Sequence, residues 1–384
     1  MSSQFVIGSN TWVPVPVIAL ALYAVASGYL MSLLPLILPV YGMDSHLASY
    51  LASIFYAGLL LGTLLISPVL GYLGHKMSFI CCLVIFSLTI IVLPFAPYSG
   101  IWLVARFIAG ITVAGIFVIV ESWLLEGDET GRAKRLGIYM AALYGGTSIG
   151  QLGIGMFNMN SLLPFMVISL LLLLAVAVLL VIASNEPKPH SIEKIALKHI
   201  KRVCTPALIG CLVSGLTLAI VMGLMPVALL NIGVTHQSLG SLMALVIIGG
   251  MAVQLFVPSL IRGLGHKLCM AGCALVAASA VAMAIKWQSF YALSASLFIL
   301  GMALFALYPI AINLGCLKLT QAELVSATQM MLLSYSLGSV AGPLIAQGFM
   351  SQGYDLFAPL LVMLILTCVY MLIVSGRHHQ TVAG

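Results

Sequence analysis

Arg106 and Glu121 stand inside one apolar run, "IWLVARFIAGITVAGIFVIVESWLL", and are the residues whose chemistry most needs explaining. An Arg at bilayer depth costs about 2.5–3.5 kcal/mol on insertion scales, so Arg106 is expected to face a protein interior rather than lipid. Fifteen residues of helix separate it from Glu121, leaving the pair about 60° apart around the helix and about 22 Å apart along it. They share a broad face, with Val113 and Phe117 between them, but cannot pair directly. Arg106 reads either as a fixed positive charge beside a solute path or as a tie to backbone carbonyls of other helices. Glu121, the one carboxylate within a span, reads either as a carrier of a coupling proton or as a structural partner for Lys76, Arg132 or Arg135.

The remaining interior polar residues are neutral. Tyr144 and Gln151 lie seven apart on one helical face, and Gln254, Tyr308, Asn313, Gln329, Tyr335 and Ser336 follow in the second half. Such groups serve as hydrogen-bonding glue between membrane helices or as contacts to a solute. Arg106, Tyr144, Gln151, Tyr308 and Asn313 are the candidate path residues. There is no Walker A loop, no Ser/His/Asp or paired-carboxylate cluster and no metal-ligand spacing, which argues against a pump, an enzyme and a metal or other cofactor. The cysteines fall in or beside apolar runs, so neither a disulfide framework nor a metal site is expected.

The elements that position these residues follow from composition. The chain of 384 residues is 62% hydrophobic and 6% charged, with a mean hydropathy of +1.20. Twelve apolar runs recur, at 12–40, 48–72, 78–97, 100–125, 137–157, 162–183, 207–229, 238–260, 268–285, 291–315, 325–348 and 356–375. Runs near 20 residues predict transmembrane helices and an all-α membrane protein. The N-terminal stretch carries no Lys or Arg before the first run and no small-residue cleavage site, so that run reads as a retained span. Assigned to alternate loops, thirteen Lys/Arg fall on one side and Lys286 alone on the other. Positive residues mark the cytoplasmic side, so both termini are expected there, which also accounts for the net charge of +6 without nucleic acid.

The chain is also written twice. "LGHK" occurs at Leu73 to Lys76 and again at Leu264 to Lys267, an offset of 191. "FIAG" at 107 meets "FILG" at 298, and "LLPL" at 33 meets "LMPV" at 224, with the same offset. His46 and His236 correspond at 190 and read as exposed loop residues. The hydrophilic stretch "NEPKPHSIEKIALKHIKR" divides the halves, giving bundles over 1–184 and 207–384 joined by a linker over 185–206. An even number of spans per half predicts parallel repeats related by an axis along the membrane normal. The third, sixth, ninth and twelfth spans are poor in glycine and read as peripheral, and the glycine-rich fifth reads as tightly packed. Gly71, Gly74, His75 and Lys76, with Gly265, His266 and Lys267, form the candidate gating loops, in which Gly74 and Gly265 permit tight turns.

Two parallel six-helix units, a long central loop and a short basic loop between spans 2 and 3 resemble the major facilitator superfamily over essentially the whole chain. "RFIAG…VIVESW" and "LLSYSLGSVAGP" are similar to its YcaD-type branch. The resemblance implies a twelve-helix fold in two pseudo-symmetric bundles and a functional Arg in the fourth span, matched by Arg106 with Gly110. It further implies a secondary transporter of the bacterial inner membrane, monomeric and working by alternating access. The interior Arg favours a small solute bearing negative charge and the apolar, Met- and aromatic-rich interior an amphipathic one, while spans with so few acids make protons rather than sodium the default coupling ion. Drug or metabolite efflux by proton antiport and uncoupled facilitation remain the alternatives. Two departures stand out. The loop matches Gly71, Leu73, Gly74 and Lys76 but lacks the family's acidic residue, and in the fifth span Gly146 and Gly150 are followed by Gln151 where the antiporter pattern has Pro.

Overall fold

Apolar runs of this length satisfy their backbone hydrogen bonds only within helices, and every element built on them is helical. In the computed structural model, which describes residues 14–125, 129–157, 159, 161–181, 204–317, 319 and 321–380, the described residues form α1 (Pro14–Ile37), α2 (Leu47–Phe95), α3 (Ser99–Leu125), α4 (Glu129–Leu152), α5 (Leu163–Val181), α6 (Thr205–Asn231), α7 (His236–Val253), α8 (Val257–Leu264), α9 (His266–Lys286), α10 (Phe290–Cys316), α11 (Gln321–Met350) and α12 (Phe357–Gln380). The central stretch 185–202 lies outside these residues, as does the side chain of Arg132.

Eleven spans among the described residues are long and apolar enough to cross a membrane. α2 supplies two of them, Leu47–Ile66 and Pro68–Phe95. The fifth expected span corresponds to α4, which is not among the eleven, because Glu129, Arg132, Lys134 and Arg135 crowd its first two turns and glycines fill the rest. The eighth expected span is divided between α7 and the short α8 by a break at Gln254 to Phe256.

Both "LGHK" segments turn in the same way. Gly74 sits at φ 75° and ψ 174°, and Gly265 at φ 74° and ψ 162°, a region that side-chain-bearing residues rarely adopt. Each therefore reverses the chain without a loop. Helix contacts repeat with equal fidelity: Gly110 lies on the carbonyl of Phe55, and Gly301 lies on that of Val246, both pairs displaced by 191. A Cβ at either glycine would overlap that carbonyl. Without a hydrophobic drive between helices in lipid, such close backbone approach is what holds them together.

α1 to α5 pack among themselves, as do α6 to α12, and the two sets meet through α2 with α11, α4 with α7 and α1 with α6. The kinks and turns put Gly74, Lys76, Arg262 and Lys267 at one end of the bundle, here the basic end. Thr235 and Ser289 cap α7 and α10 at the opposite end, each side chain accepting a backbone N–H three residues on. α5 turns Leu170, Leu173, Leu174 and Leu180 outward, as an apolar helix facing lipid does.

Candidate functional site

α3 carries both charges: Arg106 reaches a chamber that Gly223 of the second half also lines, and Glu121 is exposed nearer the basic end. The Arg106 guanidinium carbon lies 4.2 Å from the centroid of the Phe55 ring, one helix away on α2. Its Nε is buried and meets no hydrogen-bond acceptor. Arg106 also lines a chamber of about 30 Å³ closed by Met31, Pro35, Ala52, Phe55, Tyr56 and, from the second half, Gly223. Tyr23 and Tyr56 are within electrostatic reach of the guanidinium. Among the described residues Arg106 makes no hydrogen bond to a backbone carbonyl.

Nearer the basic end, Tyr139 Oη donates to Glu121 Oε1 at 2.9 Å. Glu121 is exposed and Tyr139 buried, and among the described residues Tyr139 is the carboxylate's hydrogen-bond partner. Between the two charges Val113 is buried and Phe117 half-buried, with the Phe117 ring set edge-on to Tyr23 at 6.2 Å. Aromatic residues from both halves complete the seam. Tyr144 meets Phe305 at 5.7 Å, Tyr308 meets Tyr335 at 4.8 Å, and Tyr335 is within electrostatic reach of Tyr56.

The other candidate path residues are dispersed. Gln151 is fully buried and accepts the Ser32 hydroxyl on Oε1. Its backbone carbonyl lies against Gly240 of α7, which makes it part of a contact between the halves. Asn313 is exposed and its amide donates to Pro309 O of its own helix at 2.8 Å. Tyr144 and Tyr308 are half-buried at the seam. Gln254, in the break after α7, donates to Gly250 O and Phe305 O, both at 3.3 Å.

At the basic end the two loops differ in side-chain use. His75 is buried, its Nε2 donating to Ser122 Oγ at 3.1 Å and its ring set edge-on to Trp123 at 5.9 Å. The Ser122 hydroxyl itself donates to Ile119 O, which leaves its lone pairs for His75. Lys76 is half-buried and Gly71 exposed within α2. His266 is half-buried, Gly265 is exposed, and Lys267 Nζ donates to Val374 O of α12 at 3.5 Å. His75 thus fixes its loop to α3, while Lys267 fixes the other to α12.

At the opposite end the halves are latched together by residues that the sequence did not single out as a group. Ser49 Oγ donates to Gln347 Oε1 at 2.8 Å, and Gln347 Nε2 donates to His46 Nδ1. The symmetry-related contact brings backbones together. Gly155, at φ 86°, and Gly240 lie directly on the backbones of His236 and Gln151. The signal for both was the His46 and His236 correspondence; the histidine rings lie at loop ends, as the sequence suggested, but there they flank a contact between halves.

Eleven candidate membrane spans in two sets of helices, with an internal repeat and aromatic side chains from both halves at the seam, define a polytopic membrane protein. A model of the Major Facilitator Superfamily matches residues 17–208. An uncharacterized MFS-type transporter of Yersinia pestis (strain Pestoides F) is 31% identical over 364 residues, covering 94% of both chains. The uncharacterized MFS-type transporter YcaD of Escherichia coli O139:H28 is 32% identical over 329 residues, 84% of this chain and 85% of that one. The chain belongs to the Major Facilitator Superfamily. The nucleoside transporter NupG superposes with a TM-score of 0.76 at 12% identity over 94% of this chain and 96% of that one. A bacterial homolog to the human lysosomal transporter Spinster, inward-facing and unoccupied, gives 0.69 at 16% over 95% and 96%. At these identities the structures share the fold.

Proposed function

We propose that the protein is a proton-coupled secondary transporter of the inner membrane, moving a small solute by alternating access, with both termini and the basic end cytoplasmic. Its two bundles span 1–184 and 207–384 with the linker 185–206 between them, and it works as a monomer in the bilayer, without cofactor or nucleic acid. Arg106, Tyr144, Gln151, Tyr308 and Asn313 serve the solute path, and the loops Gly71, Gly74, His75, Lys76 and Gly265, His266, Lys267 serve the cytoplasmic gate.

The observation that carries the reading is the asymmetry of closure along the seam. Gln347 ties α11 to Ser49 and His46, and Gly155 and Gly240 seat α4 against α7, all at the end away from the basic loops. Glu121, near the basic end, is exposed. A seam sealed at one end with a charged side chain open at the other is one of the two states that alternating access requires. In this reading Glu121 carries the coupling proton, and Tyr139 holds the carboxylate in place between loading and release.

Purified protein in proteoliposomes, given an inside-acid or inside-alkaline pH gradient and a panel of radiolabelled solutes, tests this. Accumulation that saturates and collapses with a protonophore supports it. Saturable flux unaffected by pH gradients of either sign would replace proton coupling by uncoupled facilitation.

A further inference from the structure

We propose that the chamber at Arg106 receives the carboxylate of a small aromatic monoanion, whose planar body lies among the rings that both halves bring to the seam. The inference rests on the transport reading and names the substrate class of that site.

A guanidinium carries five N–H donors, accepts nothing and keeps its charge at every working pH. Buried donors are almost always satisfied, and one that is not calls for a reason. Arg106 Nε is buried without an acceptor, and among the described residues the groups that act electrostatically on the guanidinium are Tyr56 and Tyr23 rather than a carboxylate. Glu121, about 22 Å along the same helix, is too far to neutralise it. What does touch the cation is a ring face, Phe55 at 4.2 Å. A cation held at this depth by a π face alone is strongly unfavourable unless an anion joins it during the working cycle. A carboxylate matches the planar fork through two parallel hydrogen bonds.

The surroundings restrict the rest of the ligand. The chamber, about 30 Å³, is lined by Met31, Leu34, Ala52 and Phe55 and closed across the seam by Gly223. That is room for about two waters or one carboxylate, so the body of the ligand must project out of it. Tyr56, which also lines the chamber, leads toward Tyr335, and Tyr335 pairs with Tyr308 at 4.8 Å. Rings in offset or edge-on contact favour a planar aromatic body over a branched aliphatic one. A second negative charge would find no partner in so apolar a lining, hence a monoanion.

The test uses the full chain in detergent, with thermal unfolding as the readout and simple probes. Benzoate and 1-naphthoate should raise the unfolding midpoint by several degrees near saturation, as ligands of the folded state do. Benzamide and benzylamine, with the same body and no negative charge, should not. Acetate, the charge without the body, should need at least about tenfold more for the same shift, given the apolar area it leaves unburied. Arg106→Gln should abolish the benzoate shift. Because Arg106→Gln could also lower folding yield, the probe series on the unaltered protein decides independently. Benzamide matching benzoate, or no response to either carboxylate, would overturn the proposal. Counterflow separates it from the reading beneath it. Saturable counterflow of a neutral solute with none of the carboxylates sinks the substrate class and leaves the transporter standing. Carboxylates that bind but never exchange sustain the site and sink the transport cycle.

Discussion

Replacing Gln347 by Leu removes the side-chain latch across the seam and keeps the residue's bulk. Two hydrogen bonds are lost, one accepted from Ser49 Oγ and one donated to His46 Nδ1. Hydrogen bonds between membrane helices average about 0.6 kcal/mol each, so the closed end should lose about 1.2 kcal/mol. That is about an eightfold shift toward the form open at this end, provided both forms hold the remaining contacts equally. Ala52 lies below the latch, buried against Gly223 across the seam, and reports opening there. With the native cysteines replaced, Ala52→Cys in cells should react with a membrane-impermeant maleimide about eight times faster in Gln347→Leu than without it. Ser351→Ala, on an exposed hydroxyl bonded only to Gly348 O of its own turn, should leave the rate unchanged. An unchanged or slower rate in Gln347→Leu would refute the latch, and labelling that rises equally with Ser351→Ala would refute its location.

Glu121→Gln should abolish accumulation driven by a pH gradient and leave solute exchange intact, since exchange moves no net proton; joint loss of both would make Glu121 a structural residue. Tyr139→Phe, which removes the 2.9 Å hydrogen bond to Glu121, should move the pH midpoint of accumulation upward, because a carboxylate deprived of a donor holds its proton more tightly. A midpoint that stays put would show that the bond does not act on the proton. Arg106→Lys should retain little transport at normal expression, since Lys cannot reproduce the planar fork, and normal transport would remove Arg106 from the path. Gly110→Val and Gly301→Val should each lower thermal stability, by about 1–3 kcal/mol for forced overpacking, because their side chains would strike the Phe55 and Val246 carbonyls. An unchanged unfolding midpoint in either would show that the helices there are not in close backbone contact.

The spans and the repeat were legible because both are written locally, as apolar length and as a fixed offset of 191 between short matches. The glycine contacts follow from that offset, and the pairing of Gly110 with Phe55 and Gly301 with Val246 shows it acting in three dimensions. The fifth run was legible as the helix α4, although its charged first turns keep it out of the spans that apolarity alone marks. Side-chain partners were not legible. Phe55 beneath Arg106 is 51 residues away, and Gln347 is 298 residues from Ser49, so no local pattern joins them. Nor could periodicity show that Asn313 turns back on its own helix, or that His75 leaves solvent for Ser122, since both depend on which rotamer the packed neighbours leave open.

Alternating access is tested most directly by distances measured across both ends of the seam in the same protein. Spin-label pairs at the exposed Tyr50 and Tyr354 report the latched end, and pairs at the exposed Tyr72 and Leu264 report the basic end. In nanodiscs, each pair should show two distance populations that exchange reciprocally, one end widening as the other narrows, when pH is varied or a transported solute is added. A single distance at both ends, unmoved by pH and by every solute that binds, would contradict the account.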